Sequence, residues 1–395
     1  QLIHRALTYN KDLKIASARM NELAALKRID FANMFPQATA RLNGNRETTN
    51  YGGDNFDADP ELSLTASISW GLDLWGNLRW ARDHSTAGFL ASVENCRAVK
   101  MGLVAQVAQS YFELMALDNE LAIVRRTLEA RREGVRLAEI RFKGGLTSEI
   151  VFQQAKVELA KTATMVPDLE RRISLKESEI ALLTGDFPYA VNRNVLPEEI
   201  QLPDALPLGL PSTLLERRPD IRKAERELMA AHAEVGLAYT NMFPRLALTA
   251  TLGAESETLR DLLKSPYSYL AGNLLSPLFA MGKNRAALKA KRAAYEGAVA
   301  EYEKTVLTAF KETHNAIINF NKIKDIYESR RQLAEASRTA VELAQLQYIN
   351  GVIGYLDLLD AQRNYFDAQV SLSNAVCDKQ LMIINLYKAL GGGWK

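Results

Sequence analysis

Few residues in this chain could do chemistry. His4, His84, His232 and His314 are scattered, with no ligand pair at helical spacing and no cysteine cluster beside them. There is no nucleophile elbow, no phosphate-binding loop and no dinucleotide fingerprint, and Gly391-Gly392-Gly393 follows a helix instead of opening one. Catalysis, a metal and a cofactor are therefore not expected. The constellation that remains is Leu356, Asp357, Asp360 and Arg363. The two aspartates stand at i and i+3 on one helical face, just past Gly351. By spacing this is first a solvated acidic face. The second reading is a pore constriction. In a three-fold assembly the aspartates would form a ring that repels itself and attracts cations. The earlier part of the chain has Val151 and Gln154 at the matching places, so the acids belong to one half only.

The elements that carry these residues are very long. Gly282 to Tyr348 contains no proline and one internal glycine, Gly297. Its seam runs Tyr302, Val306, Ala309, Thr313, Ala316, Phe320, Ile323, Tyr327, then Ala334, Ser337, Val341, Ala344, Tyr348. Steps of four and three sustained over that span predict a coiled-coil helix about 100 Å long. An earlier rod, Gly76 to Phe142, repeats it: Leu117, Leu121, Val124, Leu128, then after Arg131 Val135, Ala138, Phe142. A shift of about 206 residues lays one on the other in register. Each ends at a glycine and turns into a return helix. The chain reads as a tandem duplication, with repeats 1–184 and 212–395 joined by a proline-rich linker, 185–211.

Composition narrows the class. Charged residues make up 24% of the 395 and the net charge is +2, so nothing calls for nucleic acid. No apolar run approaches the length of a membrane-spanning helix. The chain begins at Gln1 without a signal peptide, which suggests a processed or truncated chain. Cys96 and Cys377 read as buried free thiols.

Helices are expected over Gln1–Met34, capped at Asn10, and over Pro219–Met242, with Thr213 and Glu216 as a capping box upstream. Both close on Asn-Met-Phe-Pro. After each proline the period changes from 3.6 to 2, giving strands near 37–45, 61–74, 245–254 and 268–279. In the clearest, Leu62, Leu64, Ala66, Ile68, Trp70, Leu72 and Leu74 alternate with Ser63, Thr65, Ser67, Ser69, Gly71 and Asp73. Alternation alone fits a half-buried sheet on a core. Three features favour a membrane barrel: the strand pairs sit between proline breaks at the foot of long helices with no amphipathic element left to cover them, their lengths suit a tilted crossing, and Trp70, Trp75 and Trp80 group at one end like an interfacial belt. Four strands cannot close a barrel, and an open edge cannot sit in lipid, so several chains must contribute. A second apolar stripe on the later rod, Val299, Phe310, Ile317 and Leu343, fits a closed ring of helices. The fold class is mainly α with a transmembrane β portion: a trimeric α-barrel joined to a β-barrel of four strands per chain.

The stretch from Leu206 to Arg222, LPLGLPSTLLERRPDIR, resembles the midpoint signature of the outer-membrane factor (TolC-like) family, in its OprM-like branch serving multidrug efflux pumps. Phe243-Pro244, Leu358-Leu359-Asp360-Ala361-Gln362-Arg363 and the ending from Leu386 to Trp394 match as well. The resemblance implies a homotrimer with a 12-stranded barrel in outer-membrane lipid and a helical tunnel in the periplasm. It also implies docking to a periplasmic adaptor (membrane fusion) protein and an inner-membrane drug transporter. The implied gate is Leu356, Asp357, Asp360 and Arg363. The implied docking tips are Gly145, Leu146, Thr147 and Ser148, with Gly351, Val352, Ile353 and Gly354. Tyr348 matches a tyrosine that latches the closed tip to an aspartate. Val151 stands at that acid's place, leaving Glu149 as the candidate substitute. Members of this branch usually start with a lipid-bearing cysteine, a segment not in this sequence. A duct for type I protein secretion and a pore-free coiled-coil scaffold are the alternative readings.

Overall fold

The computed structural model describes residues 1–49, 57–193, 216–277 and 281–392. Most of the 185–211 linker, Thr213, the 206–215 part of the midpoint signature, Phe279 and Trp394 lie outside the described residues. The elements are α1 (Leu2–Tyr9), α2 (Lys11–Ala32), β1 (Gln37–Thr49), β2 (Asp57–Leu72), α3 (Asn77–Lys143), α4 (Glu149–Thr184), α5 (Pro219–Thr240), β3 (Arg245–Ser256), β4 (Pro266–Leu275), α6 (Lys283–Ile349) and α7 (Tyr355–Ala389). A short 3₁₀ turn, Leu262–Lys264, precedes β4. The chain falls into two compact units, and the long helices contribute segments to both.

One unit holds the distal parts of the two helical hairpins. The two rods, α3 and α6, are 67 residues each. The expected seam is the buried line: Leu114, Leu117, Leu121 and Val124 of α3 pack on Leu169, Ile173 and Ile180 of α4. In the second hairpin Ala316, Phe320 and Ile323 of α6 pack on Leu386 and Ala389 of α7. Thr313 is buried in that seam at little cost, because its hydroxyl donates to the carbonyls of Ala309 and Ala389. The second apolar stripe is different. Ile317 packs on the seam cluster and Val299 is half-buried, while Phe310 and Leu343, with Leu307 and Leu346 beside them, stay exposed in the single chain. An exposed apolar line of this length calls for neighbouring chains.

The first helix breaks where the cap was expected. Asn10 leaves helical geometry (φ −56°, ψ 134°), its Oδ1 accepts from the Leu13 N–H at 2.9 Å, and its amide donates to the Leu183 carbonyl at 3.0 Å. Gly185, at the end of α4, abuts the Tyr9 backbone; Gly391, at the end of α7, abuts Arg217 in the same way. The duplication therefore repeats its joints as well as its rods. Cys377 is buried and Cys96 half-buried; burial pushes the Cys377 thiol up to about 11, so it is inert.

The other unit holds the sheet, antiparallel in the order β1-β2-β3-β4. The register settles its faces. Ile68 pairs with Ala38 and Ala250, Leu64 with Leu42 and Ala254, and Trp70 with Leu248. On the opposite face Ser67 pairs with Thr39 and Thr251, and Ser63 with Asn43. Two sequence expectations need correction. β2 ends at Leu72, and Asp73 does not continue the polar face. Its carboxylate instead caps α3, accepting from the N–H groups of Leu78 and Arg79. Trp80 does not join a belt: its ring is wedged against Gly236 and edge-on to His232. Trp70 and Trp75 are exposed, and their indoles donate to the carbonyls of Met34 (3.0 Å) and Pro244 (2.8 Å). Each thereby ties down one Asn-Met-Phe-Pro turn.

The face assignment has a direct test. Ile68→Arg should block assembly in the membrane, since a midplane arginine on the lipid side costs roughly 2–4 kcal/mol. Ser67→Arg, one residue away on the water side, should assemble normally. Trimer yield on non-boiled gels would show the contrast, and equal yields would reject the assignment.

Candidate functional site

The two hairpin tips are built alike. At the first, Leu146 N–H donates to the Arg141 carbonyl and Gly145 N–H to that of Phe142. At the second, Val352 N–H donates to Gln347 and Gly351 N–H to Tyr348. These paired bonds are a Schellman ending, which puts the penultimate residue in the left-handed region. Gly145 and Gly351 sit there at φ 71° and 73°, where a Cβ is disfavoured. Leu146 and Val352 project from the turns more than 70% exposed, and Ile150 is exposed beside them.

α7 opens just beyond the second tip. Asp357 reaches back to its own helix start, where its carboxylate accepts from the Gly354 N–H at 3.0 Å. Leu358 and Leu359 are buried, Leu358 against Ala344 and Tyr348. Helical spacing therefore turns Leu356, Asp357 and Asp360 to the opposite, open face, where Leu356 is 61% exposed. Asp360 accepts from the Asn364 amide at 3.2 Å. The Arg363–Asp360 pair that the spacing suggests does not form. Arg363 instead donates to Glu158 of α4 at 2.5 Å, across the two hairpins.

Glu158 is the centre that sequence reasoning missed. It is buried; the oxygen that accepts from Arg363 also accepts from Lys161 at 3.2 Å, and its other oxygen accepts from the buried Arg131 of α3 at 2.5 Å. The bond from Arg363 is the first cause holding the Glu158 carboxyl down at about 2; burial opposes it, and Arg131 and Lys161 reinforce it. A signal was present: Arg131 occupies a seam position where its neighbours are Leu128 and Val135. A charge inside an apolar seam needs a buried partner.

The tyrosine latch is also different. The Tyr348 hydroxyl is buried without a hydrogen-bond partner, and Glu149 accepts from Gln153 instead. The Tyr348 ring lies beneath the Arg141 guanidinium, 4.7 Å from its centroid, so a cation–π contact joins α3 to α6 where an acid–hydroxyl bond was expected. Among the described residues no group of three His, Cys, Asp or Glu side chains could hold a metal ion.

A duplicated coiled-coil chain with an alternating four-stranded sheet and an acidic open face at one tip is the architecture of an outer-membrane channel protomer. Comparison with known proteins agrees. The family model described as "Outer membrane efflux protein" matches residues 2–186 and 210–392. The solvent efflux pump outer membrane protein SrpC of Pseudomonas putida is 33% identical over 403 residues, covering all of this chain and 85% of that protein. Outer membrane protein OprJ of Pseudomonas aeruginosa is 32% identical over 411 residues, covering 100% and 84%. The solved outer-membrane channel OprN superposes with a TM-score of 0.92 at 30% identity, covering 100% of this chain and 90% of that one. The open-state MtrE channel of Neisseria gonorrhoeae gives 0.89 at 28%, covering 100% and 89%.

The chain belongs to the outer membrane efflux protein family. It is an outer-membrane efflux channel with the trimeric fold of that family, an α-barrel and a β-barrel to which each chain gives four strands.

The Arg131–Glu158–Arg363 knot makes two predictions. Glu158→Gln strands the buried Arg131 guanidinium and should cost about 3–5 kcal/mol, whereas Arg131→Leu combined with Glu158→Leu should recover much of it. Denaturant melts of the detergent-solubilised protein would check this. For pH, the Glu158 carboxyl is lowered from 4.5 to about 2. Its contribution should therefore be complete above about pH 4.5 and vanish as pH falls through about 2. Protease sensitivity of the hairpins across that window reads the change.

Proposed function

We propose that the chain is the passive exit duct of a tripartite drug efflux pump, gated at its helical tips. The observation that carries the gate is the split on α7: Leu358 and Leu359 anchor the helix, while Leu356, Asp357 and Asp360 are left on one open face. Around a three-fold axis that face supplies an apolar constriction and an adjacent ring of carboxylates. The ring repels itself, so the closed state must be held by other contacts. Arg363–Glu158 and Arg141–Tyr348 supply them, because both link one hairpin to the other. Opening then means loosening these links.

The exposed tips Gly145–Ser148 and Gly351–Gly354 dock a periplasmic adaptor, which connects the duct to an inner-membrane transporter. Cargo is small organic compounds, in keeping with relatives named for solvent, toluene and antibiotic efflux. The reading gives the chain no catalytic step. A pore-free scaffold would have no use for a sheet that exposes Leu42, Leu64, Ile68, Leu252 and Leu270.

Replacing Asp357 and Asp360 together by Ser should weaken cation preference in a planar bilayer and weaken block by divalent cations. The unmodified pore should lose cation preference as salt rises, since the Debye length shrinks from about 10 Å at 0.1 M to about 3 Å at 1 M. Unchanged selectivity and unchanged divalent block would return the aspartates to a solvated face. Separately, Gly351→Pro should give an inserted trimer that no longer supports drug resistance; full resistance would show that this tip is not the docking surface.

A further inference from the structure

The water-side face of the sheet is not uniform. Towards the strand turns near Met34 and Phe243 it carries small groups: Ser69, Ala247 and Thr249. Towards the other end it changes character. Tyr267 and Tyr269 of β4 both project from this face with rings almost parallel, 7° apart, and centroids 6.5 Å apart. Tyr267 pairs across the sheet with Gly253, and its ring occupies the space that a Cβ at 253 would take. The ring therefore lies down over β3. Glu255 of β3 and Glu61 of β2 lie on the same face by register, close enough to act electrostatically on the Tyr267 hydroxyl. Beneath Tyr269 its cross-strand partner Thr251 is buried, with a hydroxyl that has no hydrogen-bond partner.

The charges on this face are distributed unevenly. Glu61 and Glu255 gather at the tyrosine end. Arg245 stands at the opposite end, engaged with Asn241. Arg41 shares the row of Tyr267 and within one chain lies three strands away, roughly 14 Å at the usual strand spacing; barrel closure sets the β1 of another copy, with its own Arg41, beside β4. What is grouped locally is two π-faces, two carboxylates and one unused hydroxyl. Ring faces attract cations through their quadrupole and stack on flat ligands; neighbouring carboxylates add the charge that favours a cation over a neutral ring.

We propose that Tyr267 and Tyr269, with Glu61 and Glu255, form a subsite on the water-facing wall of the β-barrel for flat organic cations leaving the duct. It lies on a different element from the carboxylate face of α7. The proposal rests on the duct reading above. It places a second point of cargo selection in the barrel wall. Gly253 is the positioning residue, since it lets the Tyr267 ring lie against the wall.

The test uses the purified full chain in a planar bilayer, with ethidium as the flat cation and tetramethylammonium as a small non-aromatic control. Both are added on the side bearing the β-hairpin loops. In the unmodified pore ethidium should block at lower concentration than the control. Tyr267→Ala with Tyr269→Ala should raise the half-blocking ethidium concentration about threefold or more and leave the control unchanged. Tyr267→Leu with Tyr269→Leu serves if the alanine pair fails to assemble. Gly253→Ala keeps both tyrosines but displaces one ring, and should weaken ethidium block in the same direction. Ethidium block equal to the control in the unmodified pore, or block indifferent to the tyrosine variants, would overturn the subsite while leaving the duct intact. A chain that conducts no current at all would instead sink the duct reading.

Discussion

A β-strand in lipid has no water to satisfy its N–H and C=O groups, and that constraint organises this protein. The described sheet has four strands and two open edges, β1 and β4. With an apolar face on one side, such a sheet is stable in a membrane only when other copies pair with both edges. Closure by further copies follows from the sheet, and the trimeric fold of the family sets their number. That closure gives the exposed stripe on α6 its neighbours. In the proposed gate it would also turn a face that is merely acidic in one chain, Asp357 and Asp360, into a ring.

The duplication supplies the scaffold, and departures from it supply the function. The rods match in length, the tips use the same Schellman bonds, and Gly185 and Gly391 close equivalent joints. Against that symmetry, Arg131 of the first rod corresponds to Ser337 of the second, and Glu158 of α4 to Asn364 of α7. Symmetric hairpins would pack equally well in several relations. A buried ion pair that exists in only one of them, and that takes a third charge from the other, fixes which helices meet. Such a pair contributes little net stability, because desolvation offsets its attraction; what it provides here is a single register.

Much of the fold was legible because the relevant periods are local. Steps of three and four marked the seams, and alternation by two marked which side of β2 is apolar; the pairings of Ile68 and Ser67 put both sets where the period places them. Asn10 and the tip glycines were legible for the same reason, since caps and left-handed turns are decided within a few residues. The errors arose where a local rule met a distant partner. Asp73 continues an alternating pattern but is claimed by the start of α3. Trp80 sits near Trp70 and Trp75 in sequence, but Gly236 leaves a gap that its ring fills.

The acidic face of α7 marks the same boundary. The sequence by itself determined that Leu356, Asp357 and Asp360 share one side of a helix, because helical geometry leaves no alternative. It could not determine what Arg363 does. An i, i+3 acid three residues away is always available, but the guanidinium takes the buried carboxylate of Glu158, more than two hundred positions distant, because a desolvated anion gains more from a cation than a hydrated one does. That choice needs α3, α4 and α7 side by side. Only the tertiary structure puts them there.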